Sequence, residues 1–204
     1  MVSSGQGTVE HIVLVKVKPD TEPTKVSAMV NAMNSLSALD GVLHLTVGPL
    51  LPNGPTSGLR FTHMLHSRYS SKDDLAAYNA HPDHIGAVRG FLFPVCDDLM
   101  VIDWVAGDSA LPPPPPGSAL RAMFLKLKAG YEVKDEVFDV VRGIKDGAGG
   151  IGQFSCGENF SPERAKGFSI ASLAVFPGRE EMESVDPNEG FVEVVDHLED
   201  VLLM

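Results

Sequence analysis

The sequence contains two similar halves separated by five consecutive prolines, Pro112 to Pro116. Alternating apolar residues open each half, at residues 11–18 and 121–128, and this period of two predicts a β-strand. Further matching pairs follow in the same order, and their separation shrinks from 110 residues at the first pair to 102 at the last. The pattern indicates one internal duplication rather than a long solenoid, with shorter loops in the second copy.

The duplication defines the expected domain organisation. We expect a first domain over residues 9–106, a linker over residues 107–118 and a second domain over residues 119–204, whose last strand is shortened. A run of prolines forms an extended polyproline helix and acts as a semi-rigid spacer. Such a run can also be bound by domains that recognise proline-rich segments.

Each copy has the pattern strand, helix, strand, strand, helix, strand. In the first copy the strands are predicted at residues 10–18, 42–48, 61–69 and 99–105, and the helices at residues 23–39, 72–79 and 84–95. Strands interleaved with one-sided helices predict an α+β fold, in which an antiparallel sheet carries helices on one face. The other face of such a sheet is uncovered, so we expect two sheets to pair face to face into a barrel. The pairing could occur within one chain, as a pseudo-dimer, or between two chains, as a homodimer.

Composition and charge exclude several classes of partner and location. The chain is 44% apolar, which is sufficient for a core, and its net charge is −11 with a pI of about 4.9. This acidity argues against nucleic acid and anionic membranes, both of which select basic surfaces. Two cysteines are too few for a disulfide framework, and no stretch resembles a secretory signal or a membrane span. We therefore expect a cytoplasmic protein, with a peroxisomal or plastid location left open.

The histidines are concentrated in the first copy, which holds six of the seven. Three proton-exchanging side chains, Tyr78, His81 and His84, lie within seven residues of one another. Histidine titrates near neutral pH and serves as a general acid or base, while a tyrosine hydroxyl can hold a developing oxyanion. A single histidine at a strand start, such as His11, is more often a structural hydrogen-bonding group.

The sequence resembles the plant stress-responsive dimeric A/B barrel (Dabb) family, and within it the members with two tandem domains. The resemblance covers nearly the whole chain and is carried by four segments: Glu10-His11-Ile-Val-Leu, Phe61-Thr-His63, Tyr78-x-x-His81-Pro-x-His84 and Val101-Ile-Asp103-Trp104. It implies ferredoxin-like units whose sheets pair into a barrel, and a role in stress and defence responses.

One branch of this family resembles a cofactor-free polyketide cyclase, which closes a linear poly-β-ketone by an intramolecular aldol condensation. By that resemblance His84 would be the general base and Tyr78 the oxyanion donor. His11 would support catalysis, and His63 and His81 would bind substrate. No cofactor is expected, although some relatives hold a divalent ion such as Mg²⁺ near the end of the first helix. Here that region, residues 34–42, offers mainly backbone carbonyls and Asp40.

The second copy has lost the corresponding residues, so any site belongs to the first copy. His11 is replaced by Arg121 and His63 by Ile170, while the counterparts of His81 and His84 are Asp186 and a residue near Glu189. Three hypotheses remain. The first domain binds a small apolar ligand, or it is a cyclase, or the protein docks partners through its linker or acidic second domain. In the alternative structural interpretation, His81 and His84 cap and fix a helix. The expected cavity lining is ordinary core in that case: Phe61, Met64, Leu65, Phe91 and Leu92.

Overall fold

The computed structural model describes residues 7–51, 59–107, 110–128, 130, 135–147, 149–185 and 198–204. The first unit consists of β1 (Val9–Val17), α1 (Pro23–Ser35), β2 (Val42–Pro49), β3 (His63–Tyr69), α2 (Lys72–Ala80), α3 (Pro82–Ala87), α4 (Phe93–Val95) and β4 (Cys96–Val105). A 3₁₀ turn, Leu36–Ala38, follows α1, and a π-helical turn, Val88–Leu92, joins α3 to α4. The second unit consists of β5 (Ala119–Leu127), α5 (Asp135–Gly147), β6 (Gln153–Glu158), β7 (Ile170–Phe176), α6 (Arg179–Ser184) and β8 (Leu198–Leu203).

The two units have the same sheet topology. Their strand orders are β2-β3-β1-β4 and β6-β7-β5-β8, and every described pairing is antiparallel. This order, with helices packed on one face of each sheet, is the ferredoxin-like arrangement. The predicted α+β fold class is therefore confirmed.

Several element boundaries differ from the prediction: α1 ends at Ser35 rather than at residue 39, and β4 begins at Cys96 rather than at residue 99. Two further differences have clear local reasons. The second short helix begins at Pro82 rather than at His84, because proline fits the first turn of a helix and forces the preceding residue to be extended. His81 accordingly has φ −65° and ψ 134°. Strand β3 begins at His63, two residues later than predicted, and Phe61 is instead buried between the sheets.

Strand β1 lies at the centre of the first sheet and has two buried faces. Val13 and Val15 point toward the helices of their own unit, whereas Ile12 and Leu14 point toward the other sheet. A strand buried on both faces has few polar positions, which explains its nearly continuous apolar sequence. Two polar residues near the start of this strand, Glu10 and His11, lie on opposite faces and are both fully or almost fully buried.

The two sheets pack face to face within one chain. Ile12, Ile102 and Trp104 of the first unit form a common core with Phe124 and Leu173 of the second, and all five are completely buried. Each such side chain contributes about 1.5–3 kcal/mol relative to its exposed state. The pairing is therefore intramolecular, and the second unit covers the face that the first would otherwise expose.

Strands β4 and β6 approach closely at Gly157. A Cβ atom at this position would lie 2.8 Å from the Val105 carbonyl oxygen and 2.9 Å from a ring carbon of Trp104. Because real Cβ atoms do not approach other atoms so closely, the contact between the units requires a glycine here.

A cluster of charged and polar side chains is buried between the sheets. The Glu10 carboxylate accepts hydrogen bonds from Arg68 Nη2 at 2.9 Å, from His66 Nε2 at 2.7 Å and from Ser155 Oγ of the second unit at 3.0 Å. Burial opposes ionisation of Glu10, but the bonds and charges of His66 and Arg68 outweigh it and lower the Glu10 pKa. Arg68 Nη1 also donates to Gln153 Oε1 at 2.8 Å, so the cluster joins both units.

The same arginine fixes the linker. Arg68 Nη1 donates to the Pro112 carbonyl oxygen at 2.5 Å, and the Leu111 amide donates to Thr8 Oγ1 at 2.8 Å. The start of the proline run is thus held against the first unit, while most of its side chains are exposed.

The buried cluster yields a stability prediction. Replacing Glu10 with Ala leaves the Arg68 guanidinium in the interior without its counter-charge, so the free energy of unfolding in urea should fall by about 3–5 kcal/mol. As a control, Asp97→Ala removes an exposed ion pair with Lys16 (2.8 Å) and should cost no more than about 1 kcal/mol. Similar losses in the two variants would contradict the structural role assigned to the cluster.

Candidate active site

A cavity of about 220 Å³ lies between the first sheet and the helices of the first unit. Most of its wall is apolar and comes from the sheet, α1 and the segment α3 to α4: Val13, Val15, Met29, Met33, Val47, Leu65, Val88, Leu92, Phe93, Leu99 and Val101. Five polar side chains complete the lining: His11, Tyr78, Asn79, His84 and Arg164. An apolar cavity with a few convergent polar groups is the usual form of a small-molecule site.

Tyr78 and His84 are brought together by the break between α2 and α3. Helix α2 begins at Ser71, whose Oγ accepts from the Asp74 amide at 3.1 Å, and it ends before the extended residue His81. The ending leaves the Asn79 carbonyl free, and His84 Nδ1 donates to it at 3.1 Å. The chain therefore folds back, and the two rings lie 4.5 Å apart between centroids.

The hydrogen bond to Asn79 determines which nitrogen of His84 can act as a base. A carbonyl oxygen only accepts, so Nδ1 carries the proton and Nε2 has the lone pair in the neutral ring. Burial lowers the pKa of His84, and the nearby His11 and Arg164 lower it further against the opposing effect of Asn79. His84 is therefore neutral at pH 7 and can accept a proton.

Tyr78 has the complementary property. Burial raises its pKa to about 12, so the hydroxyl keeps its proton at neutral pH. Ser67 Oγ donates to the Tyr69 hydroxyl at 3.1 Å, and the rings of Tyr69 and Tyr78 lie 5.2 Å apart between centroids. Because Tyr78 keeps its proton, its O–H group can donate to a bound molecule.

His11 forms a buried pair with Asp103 of β4, directly opposite it in the sheet. The Nδ1–Oδ1 distance is 2.5 Å, and both side chains are at most 4% exposed. Burial opposes ionisation of Asp103, but its bonds to His11 and Ser161 and the charge of Arg164 together lower its pKa. The carboxylate fixes the orientation of the His11 ring, which lies 6.4 Å from Tyr78 between centroids.

The predicted site residues separate into two groups. His11, Tyr78 and His84 line the same cavity, whereas His63 and His81 are not among its lining residues. His63 is half-buried and contacts Thr62 Oγ1 at 2.9 Å, and burial lowers its pKa. His81 Nδ1 accepts from the Asp83 amide at 3.2 Å and thereby caps α3.

The expected apolar lining is also divided. Leu65 and Leu92 do line the cavity, but Phe61 and Met64 pack between the two sheets, and Phe91 is 46% exposed. The sequence shows that residues alternate between faces, but not where a void remains on the helical face.

Three polar residues at or near the site were not identified as candidates from the sequence. Asp103 was noted only as part of a family segment, and Ser161 and Arg164 belong to the second unit. Ser161 Oγ donates to Asp103 Oδ2, and Arg164 Nη2 lies 3.4 Å from the same oxygen. No local pattern could indicate Ser161 and Arg164, because they reach the site only when the two sheets pair.

In the second unit an arginine occupies the position equivalent to His11. Arg121, the counterpart of His11, donates through Nη1 to the Val185 carbonyl at 3.0 Å and through Nη2 to the Met182 carbonyl at 2.5 Å. Its guanidinium also lies 5.4 Å from the centre of the Phe176 ring. Ile170, the counterpart of His63, is fully buried. The predicted counterparts of His81 and His84, Asp186 and Glu189, lie outside the described residues.

The region considered for a divalent ion is engaged in other contacts. The Asn34 amide donates to the carbonyls of Val30 and Val47 and accepts from the Val47 amide at 2.9 Å. Asp40 is exposed, and within the described ranges no three His, Cys, Asp or Glu side chains group as ligands. The Asn34 side chain therefore links α1 to β2.

These observations define a ferredoxin-like α+β protein with two units paired through their sheets and an acid–base cluster in the first. The chain belongs to the stress-responsive A/B barrel family, since the model of the Stress responsive A/B Barrel Domain (Dabb) matches residues 9–106 and 120–203. The suspected family and its tandem arrangement are thus confirmed.

Two curated relatives from Arabidopsis thaliana, both described as stress-response A/B barrel domain-containing proteins, are similar over most of the chain. One is 48% identical over 190 residues, covering 90% of this chain and 70% of that protein. The other, DABB1, is 44% identical over 183 residues, covering 87% of this chain and 85% of that protein.

A solved structure from Fusobacterium nucleatum, provisionally assigned as a monooxygenase, matches both units together. Its TM-score is 0.64 with 11% identity, and the match covers 97% of this chain and 90% of that one. At this identity the similarity concerns the fold alone. In the described part of the chain, no helix is both long and apolar enough to span a membrane.

The role of His81 can be tested through stability. Removing a side chain that caps a helix typically costs about 0.5–2 kcal/mol, so His81→Ala should lower the thermal midpoint. His81→Asn should restore it, because asparagine is a preferred capping residue. A His81→Asn variant as unstable as His81→Ala would contradict the capping role.

Proposed function

We propose that the first unit binds a small apolar molecule carrying a carbonyl group, in the cavity between its sheet and helices. The observation that carries this proposal is the composition of the cavity wall. Eleven apolar residues surround the space, and the polar groups are grouped around Tyr78 and His84. Apolar walls favour a hydrocarbon body, and the Tyr78 hydroxyl is a donor suited to a carbonyl oxygen.

A specific observation favours a second candidate, acid–base catalysis on the bound molecule. His84 is neutral with its lone pair on Nε2, and Tyr78 beside it is protonated. This pairing of a base with a donor suits removal of a proton from a carbon next to a carbonyl, followed by stabilisation of the enolate oxygen. Membership of the stress-responsive family is compatible with either function.

For a linear poly-β-ketone the chemistry is an intramolecular aldol condensation. His84 Nε2 takes a proton from a carbon between two carbonyls, and the Tyr78 hydroxyl hydrogen-bonds the resulting enolate oxygen. The enolate carbon forms a bond to a second carbonyl carbon of the same chain. The alkoxide produced takes a proton from the His84 imidazolium, which gives a cyclic β-hydroxy ketone. Loss of this hydroxyl group together with a remaining α-proton releases water and forms a carbon–carbon double bond in the ring. The atoms balance without an oxidant, a reductant or a metal ion.

The remaining hypothesis, docking of partners through the linker or the acidic second unit, receives less support. The described contacts of the linker are with its own chain, through Arg68 and Thr8. No specific observation favours it over the two functions above.

Ligand binding can be tested by narrowing the cavity. Val101 lies on its sheet wall, so Val101→Phe should fill part of the space and weaken binding of 2-octanone by at least about tenfold in calorimetric titration. Val201→Phe, at a 38% exposed position of the second unit, is the matched control and should bind like the native chain. Absence of 2-octanone binding to the native protein would overturn the proposal.

Catalysis can be tested by adding the protein to a polyketide synthase that releases linear poly-β-ketones. The native protein should divert the product from the spontaneous lactone to a carbocycle, and His84→Ala should abolish this effect. Tyr78→Phe should reduce the rate by about 10²-fold, since it removes one oxyanion donor. His44→Gln, which alters a histidine outside the cavity lining, should retain activity.

The pH dependence gives an independent readout of the base. Since His84 must be neutral and its pKa is lowered, the rate should fall on the acid side only below the ordinary histidine value of about 6.5.

Identical products with and without the protein would exclude the cyclase function while leaving ligand binding intact.

A further inference from the structure

Arg164 is the cavity-lining residue that the second unit contributes. It follows β6 in the 3₁₀ turn Pro162–Arg164 and reaches across β4 to the polar end of the first unit's cavity. We propose that Arg164 binds an anionic group of the ligand, so that the molecule taken by this site is a small apolar carboxylic acid. The inference rests on the function proposed above and specifies its ligand class.

The position of Arg164 is fixed by a set of contacts spanning both units. The Phe160 amide donates to the Asp103 carbonyl at 2.9 Å, joining this segment to the edge of β4. Asn159, itself 7% exposed, accepts through Oδ1 from the amides of Asp103 at 3.2 Å and Ser161 at 2.9 Å. Its side-chain nitrogen donates to the Phe168 carbonyl at 3.1 Å. The segment is therefore attached at both ends.

Packing adds to these hydrogen bonds. Phe160 packs against the apolar core of the first unit, and the Lys72 ammonium of α2 lies 4.1 Å from the centre of its ring. Arg164 thus projects from a rigid support rather than from a free loop, and a rigid support is what precise recognition of a ligand group requires.

The Arg164 guanidinium retains capacity for a ligand. Among the described residues, the guanidinium forms one side-chain hydrogen bond, from Nη2 to Asp103 Oδ2 at 3.4 Å. This distance is long compared with the usual 2.7–2.9 Å of a charge-assisted hydrogen bond. Its side chain is 51% exposed, and Arg164 is among the residues that line the cavity. A carboxylate matches the planar fork of a guanidinium and can be bound by two parallel hydrogen bonds.

The one buried carboxylate beside Arg164 does not prevent anion binding. Asp103 is 1% exposed at its side chain, and its oxygens already accept from His11 Nδ1 and Ser161 Oγ. An entering carboxylate would therefore meet Arg164 and the Tyr78 hydroxyl, with its hydrocarbon part directed along Val13, Leu65 and Val101.

The experiment compares two probes of equal chain length, octanoate and neutral 2-octanone, by calorimetric titration of the full chain. We expect the native protein to bind octanoate about tenfold more tightly than 2-octanone, as a charge-assisted bond implies. Arg164→Gln should lose this preference without changing the affinity for 2-octanone, and Arg164→Lys should keep part of it. Arg179→Gln is the matched control, because that exposed arginine of the second unit pairs with Glu183 at 2.7 Å.

The outcomes distinguish failure of this inference from failure of the proposed function. If 2-octanone binds but octanoate binds no more tightly, or if Arg164→Gln keeps the full preference, the role of Arg164 is wrong and the apolar cavity stands. If Arg179→Gln loses the preference as well, the effect is one of overall charge and the inference falls. If 2-octanone does not bind to the native protein, the proposed function is overturned, and the inference falls with it whether or not octanoate binds.

Discussion

An antiparallel sheet with helices on one side has a second, bare side, and the structure depends on how that side is covered. Here the cover comes from the same chain: Ile12 and Trp104 of one unit pack against Phe124 and Leu173 of the other. A purely apolar contact between two twisted sheets would leave their relative position weakly defined. The buried carboxylate of Glu10 fixes the relative position of the two sheets, because its hydrogen-bond partners come from both units.

This covering role explains why the second unit has the same fold although it lacks the counterparts of His11 and His63. The sheet face that meets the first unit is preserved, whereas the helical face has been altered. Arg121 there donates to backbone carbonyls near the end of α6, where His11 of the first unit lines a cavity. What the second unit retains toward the site lies outside its own sheet, in the segment that carries Asn159, Ser161 and Arg164.

Much of the fold could be predicted from the sequence because its signals are local. Alternation over residues 11–18 predicts β1, where the structure has His11 and Val13 on one face, and the predicted helix over residues 72–79 is α2, which Ser71 caps. The candidate site could be predicted from the sequence only in part. His11, Tyr78 and His84 lie together as expected, but nothing local separates them from His81, which caps a helix through the same kind of nitrogen. Contacts between the two units, such as Arg68 with Gln153 or Arg164 with Asp103, cannot be predicted from the sequence pattern of either copy alone.

The loss of symmetry between the units also affects how the protein can respond to ligand concentration. Two identical units would present two equivalent His11–Asp103 pairs, and occupation of one could alter the affinity of the other through their shared sheets. The described residues contain one such pair, with a histidine in the first unit and an arginine at the corresponding position in the second. If the first unit binds a ligand as proposed, a single site in each chain would give simple hyperbolic saturation. A steeper response would require association between chains.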